Sequence, residues 1–550
     1  MRARSRGWIA AALVAALVAA SCSGDPSVRV EQSMEAGDTQ PAPGTSPASS
    51  TVPEPIGPPG TTQPPDPTGL PELDGKDPNT VDAVLDNGLR YLVRQNDNPG
   101  GKVELRLVID AGSGLEDDDQ VGGAHFLEHM LFNGTERFPK NELIDVLRSF
   151  GAAFGADVNA STSYDETVYT LNVPDDAEAV DTALDILEEW LTAATIAPDD
   201  VEAERGIILD EYRGRQLTSN GRLIDRRTSF FLDGTAYEGH LPIGGQQAIE
   251  SITADALRRF YDDWYRPDNA SVIVVGDIDV DRIVDGIESR FADVEPRSDS
   301  PERVVLEVNP STDTRVDVFD DPDLAEGFVH VVLPRAVEAV SLEADSQNSI
   351  LERLAFDIVA TRLDNDALRG EAPFERASAG GSSFVRQLSA PQIGVDVDGA
   401  SVASAVEAVL DEFERVARFG VTPAELERAI GARRSAAQRN LDGRMSRQDA
   451  SFADEYTRHV LEGEWYVTAQ REFEFTNAVL DRATVETVAY TISDRYRSVG
   501  AHVFVAVPER EAVDVASPDA IAALVDGAPD RDLEPRPAEA EVGDSLMDRP

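Results

Sequence analysis

The segment GGAHFLEHMLF, residues 122–132, is the most informative part of the sequence. It contains the pattern H-x-x-E-H at His125, Glu128 and His129. On a helix of about 3.6 residues per turn, side chains four positions apart project from one face, and Glu128 lies beside His129 on the same side. The spacing therefore predicts a helix on which two imidazoles and one carboxylate converge.

These three side chains have the composition of a catalytic metal site. Neutral imidazole binds Zn²⁺, and a catalytic zinc site takes three protein ligands and leaves the fourth position to water. Zinc lowers the pKa of that water towards about 7, so a carboxylate such as Glu128 can accept its proton and later pass it to the leaving amine. The alternative is a polar helix face with two incidental histidines, a pattern that chance produces in about one such sequence in a hundred. The other four histidines stand in no ligand spacing and are predicted to be structural or exposed: His240, His330, His459 and His502.

A third zinc ligand is expected from a second helix, residues 202–213, which read EAERGIILDEYR. Glu204 and Glu211 are seven positions apart, and seven steps of about 100° return nearly to the same helix face. Both carboxylates can therefore face the metal, and the residues alone leave the choice between them open. Either could instead be a solvated surface glutamate, which is the ordinary role in a chain with 102 acidic residues.

The composition limits the class of protein. The chain has 550 residues, a formal charge of −53 and a hydrophobic content of 41%. Such an acidic surface repels phosphate backbones and anionic head groups, which argues against nucleic-acid binding and against a polybasic membrane patch. Because a single core stops growing near about 250–300 residues, the length predicts two or three domains.

Both ends of the chain are predicted to lie outside the folded domains. Residues 1–22 have the charged and then apolar order of a secretory signal, and they end in VAASC, which resembles a bacterial lipoprotein signal with Cys22 as the lipidated residue. This predicts an extracytoplasmic protein anchored to the cell membrane as a lipoprotein; an ordinary cleaved signal with a chance cysteine is the alternative. Residues 23–72 are predicted to form a disordered tether rich in Pro, Ser and Thr, and residues 527–550 a disordered acidic tail.

Between these ends the chain repeats itself. Residues 253–277 and 484–508 both join a helical pattern with Tyr-Arg near its end to an apolar strand pattern. A second pair of helical patterns follows Pro198 and Pro423 and carries Glu-Arg early in each. The repeats predict an α+β protein of two related α/β sandwich domains, with helices covering each sheet.

The two predicted domains span residues 73–290 and 305–525. Within the first, strands are predicted at residues 102–109 and 167–173 and a helix at residues 175–192.

Four segments of the first domain resemble the pitrilysin or insulinase family of inverted-motif zinc peptidases. The segments stand in the family order, and the match extends over nearly the whole of residues 80–280. The segments are GGAHFLEHMLFNGTERFP (122–139), FGADVNASTSYDETVYTLNVP (154–174), VEAERGIILDEYR (201–213) and LPIGGQQAIESITADALRRFYDDWYRPDNASVIVVGD (241–277). The second domain resembles the non-catalytic repeat of the family through APFERASAGGSSFVRQ and FGVTPAELERAIGARR.

The resemblance implies a role for each residue of the motif. His125, His129 and Glu211 correspond to the zinc ligands, Glu128 to the catalytic base and Glu204 to a supporting acid. Glu211 is preferred to Glu204 because the family ligand is the later glutamate, after Glu-Arg and an apolar run. The second domain has no histidine pair, so metal binding is expected in the first domain alone.

The resemblance also implies how a substrate is held. Asn159 and Ala160 correspond to an edge that presents backbone groups to a peptide, and an extended peptide could add there as a strand. Arg369 of the second domain is the candidate for holding the scissile carbonyl, and a structural arginine is the alternative. Full-length relatives enclose a chamber with four such domains, so two copies of this chain are expected to pair as a homodimeric clamshell.

The sequence therefore predicts a lipid-anchored zinc metalloendopeptidase that cleaves peptides or unfolded segments. Two alternatives stay open: a non-catalytic partner subunit or scaffold of such a complex, and a surface lipoprotein that binds peptides without cutting them. The intact H-x-x-E-H motif counts against the first. A structural zinc would be expected to have four protein ligands, whereas the sequence offers three, which counts against the second.

Overall fold

The computed structural model describes the two predicted domains and short stretches beside them. The described residues are 63, 65–73, 76–140, 142–295, 301–337 and 341–536. The predicted signal with Cys22 and most of the predicted tether lie outside these residues. No helix in the described part of the chain combines the length and the apolar character that crossing a bilayer requires.

The first half is built on a six-stranded sheet with helices packed on one face. From one edge to the other, the strands are β1 (Thr80–Val84), β2 (Arg90–Gln95), β6 (Ala270–Gly276), β3 (Lys102–Ile109), β5 (Thr167–Pro174) and β4 (Val158–Thr162). The helices are α1 (Gly123–Asn133), α2 (Glu142–Ser149), α3 (Ala177–Thr192), α4 (Pro198–Leu217), α5 (Ser219–Leu232), α6 (Gln246–Ser251), α7 (Ala254–Trp264) and α8 (Val280–Phe291). Apolar side chains of this sheet pack with those of α1, α3 and α7 in one core.

The second half has the same plan. From one edge to the other, its strands are β10 (Arg376–Ser383), β11 (Leu388–Val397), β8 (Gly327–Val332), β12 (His502–Pro508) and β7 (Arg315–Asp321), and the short β9 (Arg335–Ala336) pairs with β11. The helices are α9 (Leu342–Leu368), α10 (Val402–Phe419), α11 (Pro423–Asp442), α12 (Asp449–Glu462), α13 (Ala469–Arg482), α14 (Val485–Ser498) and α15 (Pro518–Gly527).

The strand order confirms the internal repeat. The series β2, β6, β3, β5, β4 of the first sheet corresponds to β7, β12, β8, β11, β10 of the second. In both series the first pair is parallel and the following pairs are antiparallel. The two repeated segments of the sequence are α7 followed by β6 and α14 followed by β12, and Thr253 and Thr484 cap the two helices with their side chains. The predicted α+β class with two related sandwich domains is therefore confirmed.

Each sheet is covered on its second face by a helix from the other half. Phe452 and Tyr456 of α12 pack in one apolar cluster with Ile273 of the first sheet. Reciprocally, Phe231 of α5 packs with Phe504 of the second sheet. Burying an aromatic side chain of this size contributes about 2–3 kcal/mol. The two halves are therefore interlocked through exchanged helices, in addition to being joined in sequence.

Arginine ion pairs fix the two exchanged helices. Nε of Arg222 on α5 donates to Oδ2 of Asp321 on β7 at 2.6 Å, and the hydrogen bonds from Arg222 hold the pKa of Asp321 down at about 2. On the other side, Arg106 of β3 lies 2.7 Å from the carboxylate of Asp454 on α12. Opposite charges therefore align each exchanged helix on the sheet that it covers.

The folded part is longer at both ends than the sequence predicts. Leu70, in the predicted tether, is buried against Phe475 of α13. Arg536, in the predicted tail, donates hydrogen bonds to Asp366 and Glu412. Some residues of the predicted tether (23–72) and of the predicted tail (527–550) therefore contact the folded halves, and a single apolar or charged anchor in a proline-rich stretch gives no periodic signal that would predict this.

Candidate metal centre

Helix α1, which carries the H-x-x-E-H motif, is buried along nearly its whole length. It follows Gly122, whose φ of 81° is a left-handed conformation that favours glycine. The Gly244 backbone is also so close that a Cβ atom added at position 122 would lie 3.1 Å from it. The carboxylate of Glu116 accepts hydrogen bonds from the backbone nitrogens of Gly122 and Ala124 at 2.9 and 2.8 Å. These contacts fix the first turn of the helix and hence the direction of the motif side chains.

His125, His129 and Glu211 come together where α1 meets α4. Nε2 of His125 lies 3.6 Å from Oε1 of Glu211, and Nε2 of His129 lies 3.4 Å from Oε2 of the same carboxylate. The centroids of the two imidazole rings are 4.9 Å apart, and the ring planes are inclined by 61° to each other. One ligand atom from each of the three residues lies within 4.8 Å of the others, and no other group of this kind occurs among the described residues.

The donor set fits a zinc ion. Nε2 of His129 and Oε2 of Glu211, which lie 3.4 Å apart, are both buried and make no hydrogen bond within the described chain. A buried polar atom without a partner is unfavourable by about 1–3 kcal/mol, and a cation bound to such an atom removes that penalty. Two imidazoles and one carboxylate are also the ligand types of catalytic zinc sites that keep a fourth position open.

Glu204 holds His129 from the side opposite to Glu211. Its Oε1 accepts a hydrogen bond from Nδ1 of His129 at 2.9 Å, and its Oε2 accepts one from Asn133 at 2.7 Å. Glu204 is 3% exposed. An imidazole that donates from Nδ1 presents Nε2 to a metal, so Glu204 sets both the tautomer and the orientation of this ring.

The ionisable groups of the cluster strongly affect one another. Burial opposes protonation of His129, but the carboxylates of Glu204 and Glu211 outweigh burial and raise the pKa of His129 to about 10. Burial lowers the pKa of His125, although Glu211 opposes this shift. Burial disfavours the charged form of Glu211, but the two histidines prevail and lower its pKa below the ordinary value. A metal that binds His129 must therefore displace a proton.

Glu128, the predicted base, is oriented by a different part of the fold. Its Oε2 accepts a hydrogen bond from the hydroxyl of Thr162 at 2.6 Å, and the residue is 3% exposed. Thr162 is the last residue of β4, and α1 packs against this strand. Strand β4 therefore sets the position of the carboxylate that the motif supplies for proton transfer.

Asn159 and Ala160 also lie on β4. This strand pairs with β5, where Ala160 is opposite Tyr169, and its other edge carries no strand in the described part of the chain. An open edge of this kind can accept an extended peptide as an additional strand. The same strand thus carries the predicted substrate edge and the residue that orients Glu128.

Arg369 lies outside the cluster. It follows α9 in the second half, and its side chain, 49% exposed, pairs with Asp366 and Glu371. In the part of the chain that the structure describes, its ion pairs are with these acids and not with the metal ligands. Its predicted role on the scissile carbonyl stays a prediction.

The remaining histidines are placed in other surroundings. Nδ1 of His240 donates to the backbone oxygen of Ser113, whereas His330 and His502 lie on β8 and β12 of the second sheet. His459 lies on α12 beside Arg90. Counted from the Glu-Arg pair of each half, at residues 204–205 and 427–428, the position of Glu211 corresponds to Arg434, which pairs with Asp481.

Three contributors to the site carry no recognisable signal in the sequence: Glu116, Asn133 and Thr162. Glu116 and Asn133 flank the motif in sequence. No spacing rule predicts that Glu116 accepts hydrogen bonds from the first turn of α1, or that the side-chain amide of Asn133 donates to Glu204. Thr162 is close to Glu128 only because β4 packs against α1. A pattern along one element could not have found contacts that depend on tertiary packing.

A buried H-x-x-E-H helix in the first of two repeated α/β halves defines the inverted-motif class of peptidase folds. Residues 91–241 match the insulinase family, peptidase family M16, and residues 251–432 match the peptidase M16 inactive domain. Together the two matches cover more than half of the chain. The chain therefore belongs to the insulinase family of peptidases, family M16.

Curated relatives are named as zinc proteases. The chain is 41% identical to the probable zinc protease PqqL of Haemophilus influenzae over 221 residues, which are 40% of this chain and 24% of that protein. It is 28% identical to the probable zinc protease PqqL of Escherichia coli over 426 residues, which are 75% of this chain and 44% of that protein. The chain thus spans less than half the length of these curated relatives.

Solved structures show the same relation. The first half of the periplasmic protease PqqL from Escherichia coli superposes with a TM-score of 0.78 at 27% identity, covering 84% of this chain and 99% of that one. Against the structure of the periplasmic protease PqqL itself, the TM-score is again 0.78 and the match covers 51% of that chain. The two halves described above are therefore similar to one half of a longer protease.

Proposed function

We propose that this chain is a zinc-dependent metalloendopeptidase that hydrolyses peptides or unfolded segments. The observation that carries the proposal is the buried group of His125, His129 and Glu211, which bring one ligand atom each to within 4.8 Å of one another on the helix face that also carries Glu128. Membership of family M16 and the zinc protease names of the relatives support it. The activity of the longer relatives is a proposal for this shorter chain.

The residues of the site divide the work of hydrolysis. His125, His129 and Glu211 would hold a zinc ion, and a bound zinc ion would supply the Lewis acidity that lets water lose a proton near neutral pH. Glu128 accepts that proton as the water oxygen forms a bond to the amide carbon, and passes it to the nitrogen as the carbon–nitrogen bond breaks. Thr162 donates a hydrogen bond to Oε2 of Glu128 and so fixes the carboxylate that moves the proton. Glu204 stays hydrogen-bonded to His129 throughout and keeps the ring in place.

Strand β4 is proposed to bind the substrate. A peptide laid along the edge that contains Asn159 and Ala160 would form backbone hydrogen bonds whatever its side chains are, which suits a peptidase that takes extended segments. Such a peptide would run beside Thr162, next to Glu128. The proposed edge and the proposed base would therefore meet at the scissile bond.

A homodimeric clamshell is the proposed assembly. Because the chain matches one half of a longer relative, a second copy could supply the facing wall of a closed chamber. Within the described chain Arg369 pairs with acids of its own half, and its contact with the scissile carbonyl stays a proposal. Light scattering coupled to gel filtration tests the assembly, and a monomer with full activity would contradict it.

The proposed location is outside the cytoplasm, with a lipid on Cys22. The charged and apolar order of residues 1–22 supports this proposal, as does the description of the similar Escherichia coli protease as periplasmic. Mass spectrometry of the protein from membranes would detect a lipidated Cys22, and a mature protein that begins at another residue would contradict the anchor.

The decisive experiment is cleavage of a mixed peptide library by the zinc-loaded protein, by the chelated protein and by Glu128→Gln. We expect cuts that chelation abolishes and that zinc restores, and a loss of about 10²–10⁴ in kcat for Glu128→Gln with zinc still bound. Mass spectrometry of the products also maps the cleavage preference. A Glu128→Gln variant that cleaves at the normal rate would refute the mechanism, and zinc binding with no cleavage by the wild type would refute the peptidase function.

A further inference from the structure

Arg386 of the second half contacts three acids of the first half. It lies between β10 and β11, and its side chain is 9% exposed. Nη1 donates to Oδ1 of Asp110 at 2.6 Å, and Nη2 donates to the backbone oxygen of Asp165 and to Oε2 of Glu166, both at 3.1 Å. The backbone nitrogen of Arg386 donates to Oδ2 of Asp165 at 2.8 Å. The planar, multiply donating guanidinium suits such simultaneous contacts.

Asp165 and Glu166 belong to the turn between β4 and β5, residues 163–166. Within this turn, the backbone nitrogen and the hydroxyl of Ser163 both donate to Glu166, at 2.8 and 2.6 Å. From the first half, the backbone nitrogens of Ser113 and Gly114 donate to the turn at 3.0 and 2.8 Å. Arg386 adds the contacts from the second half, so the turn is held between the two halves.

The turn leads directly to the predicted base. Thr162 immediately precedes Ser163, and its hydroxyl makes the 2.6 Å hydrogen bond to Glu128. Hydrogen bonds weaken steeply as their geometry departs from the optimum, and a catalytic group must be held within about 0.5 Å of its productive position. A shift of the turn therefore moves the hydroxyl that orients Glu128.

We propose that Arg386 is a positioning residue for Glu128, acting through the turn at residues 163–166 and the hydroxyl of Thr162. The second half then takes part in the chemistry of the first half without contributing an atom to the metal centre. The catalytic consequence rests on the proposed peptidase function, whereas the effect on the turn does not.

The first test is amide hydrogen exchange in Arg386→Gln. Arg303 lies 2.8 Å from Asp110 and 4.0 Å from Asp165, so both acids keep a cationic neighbour and the variant is expected to fold. The matched control is Arg222→Gln, which also removes an arginine that bridges the halves but leaves the turn untouched. We expect amides of residues 162–166 to exchange at least about tenfold faster in Arg386→Gln than in the wild type or the control.

The second test is kinetic and asks whether Arg386 acts through Thr162. Arg386→Gln should lower kcat by about tenfold to a hundredfold with little change in KM and with full zinc content, and Arg222→Gln should not. In a Thr162→Val background, which has already lost the hydroxyl, Arg386→Gln should lower kcat by less than about twofold further. Arg386→Lys, which keeps the positive charge but loses the planar guanidinium with its several donors, should give an intermediate kcat.

These outcomes separate the inference from the proposed function. If the wild type cleaves no peptide, the proposed function fails, and the exchange experiment still decides whether Arg386 holds the turn. The inference would be overturned if the amide hydrogens of residues 162–166 exchanged at the same rate in Arg386→Gln and in Arg222→Gln. The inference would also be overturned if the loss of kcat in the Thr162→Val, Arg386→Gln double variant equalled the product of the two single losses, because Arg386 would then act independently of Thr162. Should Arg386→Gln not fold, Arg386→Lys carries both tests.

Discussion

Glu204 and Glu211, two turns apart on α4, contact opposite nitrogens of the same imidazole ring: Glu204 lies 2.9 Å from Nδ1 of His129 and Glu211 lies 3.4 Å from Nε2. Glu211 is also within 3.6 Å of His125, whereas the second carboxylate oxygen of Glu204 accepts from Asn133. One helix face therefore supplies two acids with different tasks. Glu211 is placed to bind a metal, and Glu204 is placed to hold a ligand of that metal.

Substituting each acid with glutamine should separate the two tasks. Glu211→Gln removes the charged ligand, so zinc content after dialysis should fall to near zero. Glu204→Gln keeps all three ligands and should weaken zinc affinity by about 10–100-fold, because the ring loses its charged partner. Atomic absorption and competition with a zinc chelator measure both. If Glu204→Gln lost zinc completely and Glu211→Gln kept it, the assignment would be reversed.

Zinc binding should release protons. Without metal the pKa of His129 is raised to about 10, so this imidazole is charged at neutral pH and must lose its proton to bind zinc. Apparent zinc affinity should therefore rise by about tenfold per pH unit between pH 6 and 9. Titration calorimetry in buffers of different ionisation enthalpy counts the released protons. A zinc affinity that does not change across this range would contradict the charge state of His129.

Acid should destabilise the layer between α5 and the second sheet. Burial lowers the pKa of His502 to about 4, with the charge of Arg315 acting in the same direction, whereas an unfolded histidine titrates near 6.5. The unfolded chain therefore binds the extra proton first, and stability that is complete above pH 6.5 is lost as the pH falls towards 4, by about 3 kcal/mol at pH 4.

His502→Phe should remove this dependence. Phenylalanine fits beside Phe230 and Phe231, whose rings lie 5.9 and 6.1 Å from that of His502, and it cannot be protonated. Urea unfolding at pH 7, 5 and 4 should show a smaller loss of unfolding free energy in the variant than in the wild type. Identical losses in the two proteins would contradict the assignment of acid sensitivity to His502.

The folded end of the predicted tail should contribute to stability. Arg536 donates to Asp366 at 2.6 Å and to Glu412 at 2.9 Å, and the side chain of Glu412 is 0% exposed. Arg536→Ala should lower the unfolding free energy by about 2 kcal/mol, because hydrogen bonds to buried charges are lost. The control is Arg376→Ala, which breaks an exposed pair with Asp396 and should change stability by less than about 1 kcal/mol. Equal effects would mean that the tail is not anchored.

The local elements could be predicted because each carries its own periodic pattern. Strand β3 has the predicted bounds of residues 102–109, and the predicted helix at 175–192 differs from α3 by two residues at its start. The histidine pair could be predicted for the same reason, since His125 and His129 are neighbours on one helix. These features depend on spacing within a single element.

Contacts between elements could not be predicted in this way. Thr162 reaches Glu128 because the chain returns along β4 beside α1, and Arg386 reaches Asp165 from more than 200 residues away. Helical periodicity also could not decide whether Glu204 or Glu211 is the third zinc ligand, because a spacing of seven residues brings both to the same face of the helix. The distances to the two imidazoles, which depend on how α4 packs on α1, distinguish the two acids.

The exchange of α5 and α12 between the sheets makes the chain behave as one cooperative unit. If the backbone were cut between the two halves, the two fragments would stay bound to each other, because separating them would expose the aromatic side chains that pack on both sheets. Calorimetry should accordingly record a single heat-absorption peak for intact and nicked protein alike, and neither half expressed by itself should give a sharp melting transition.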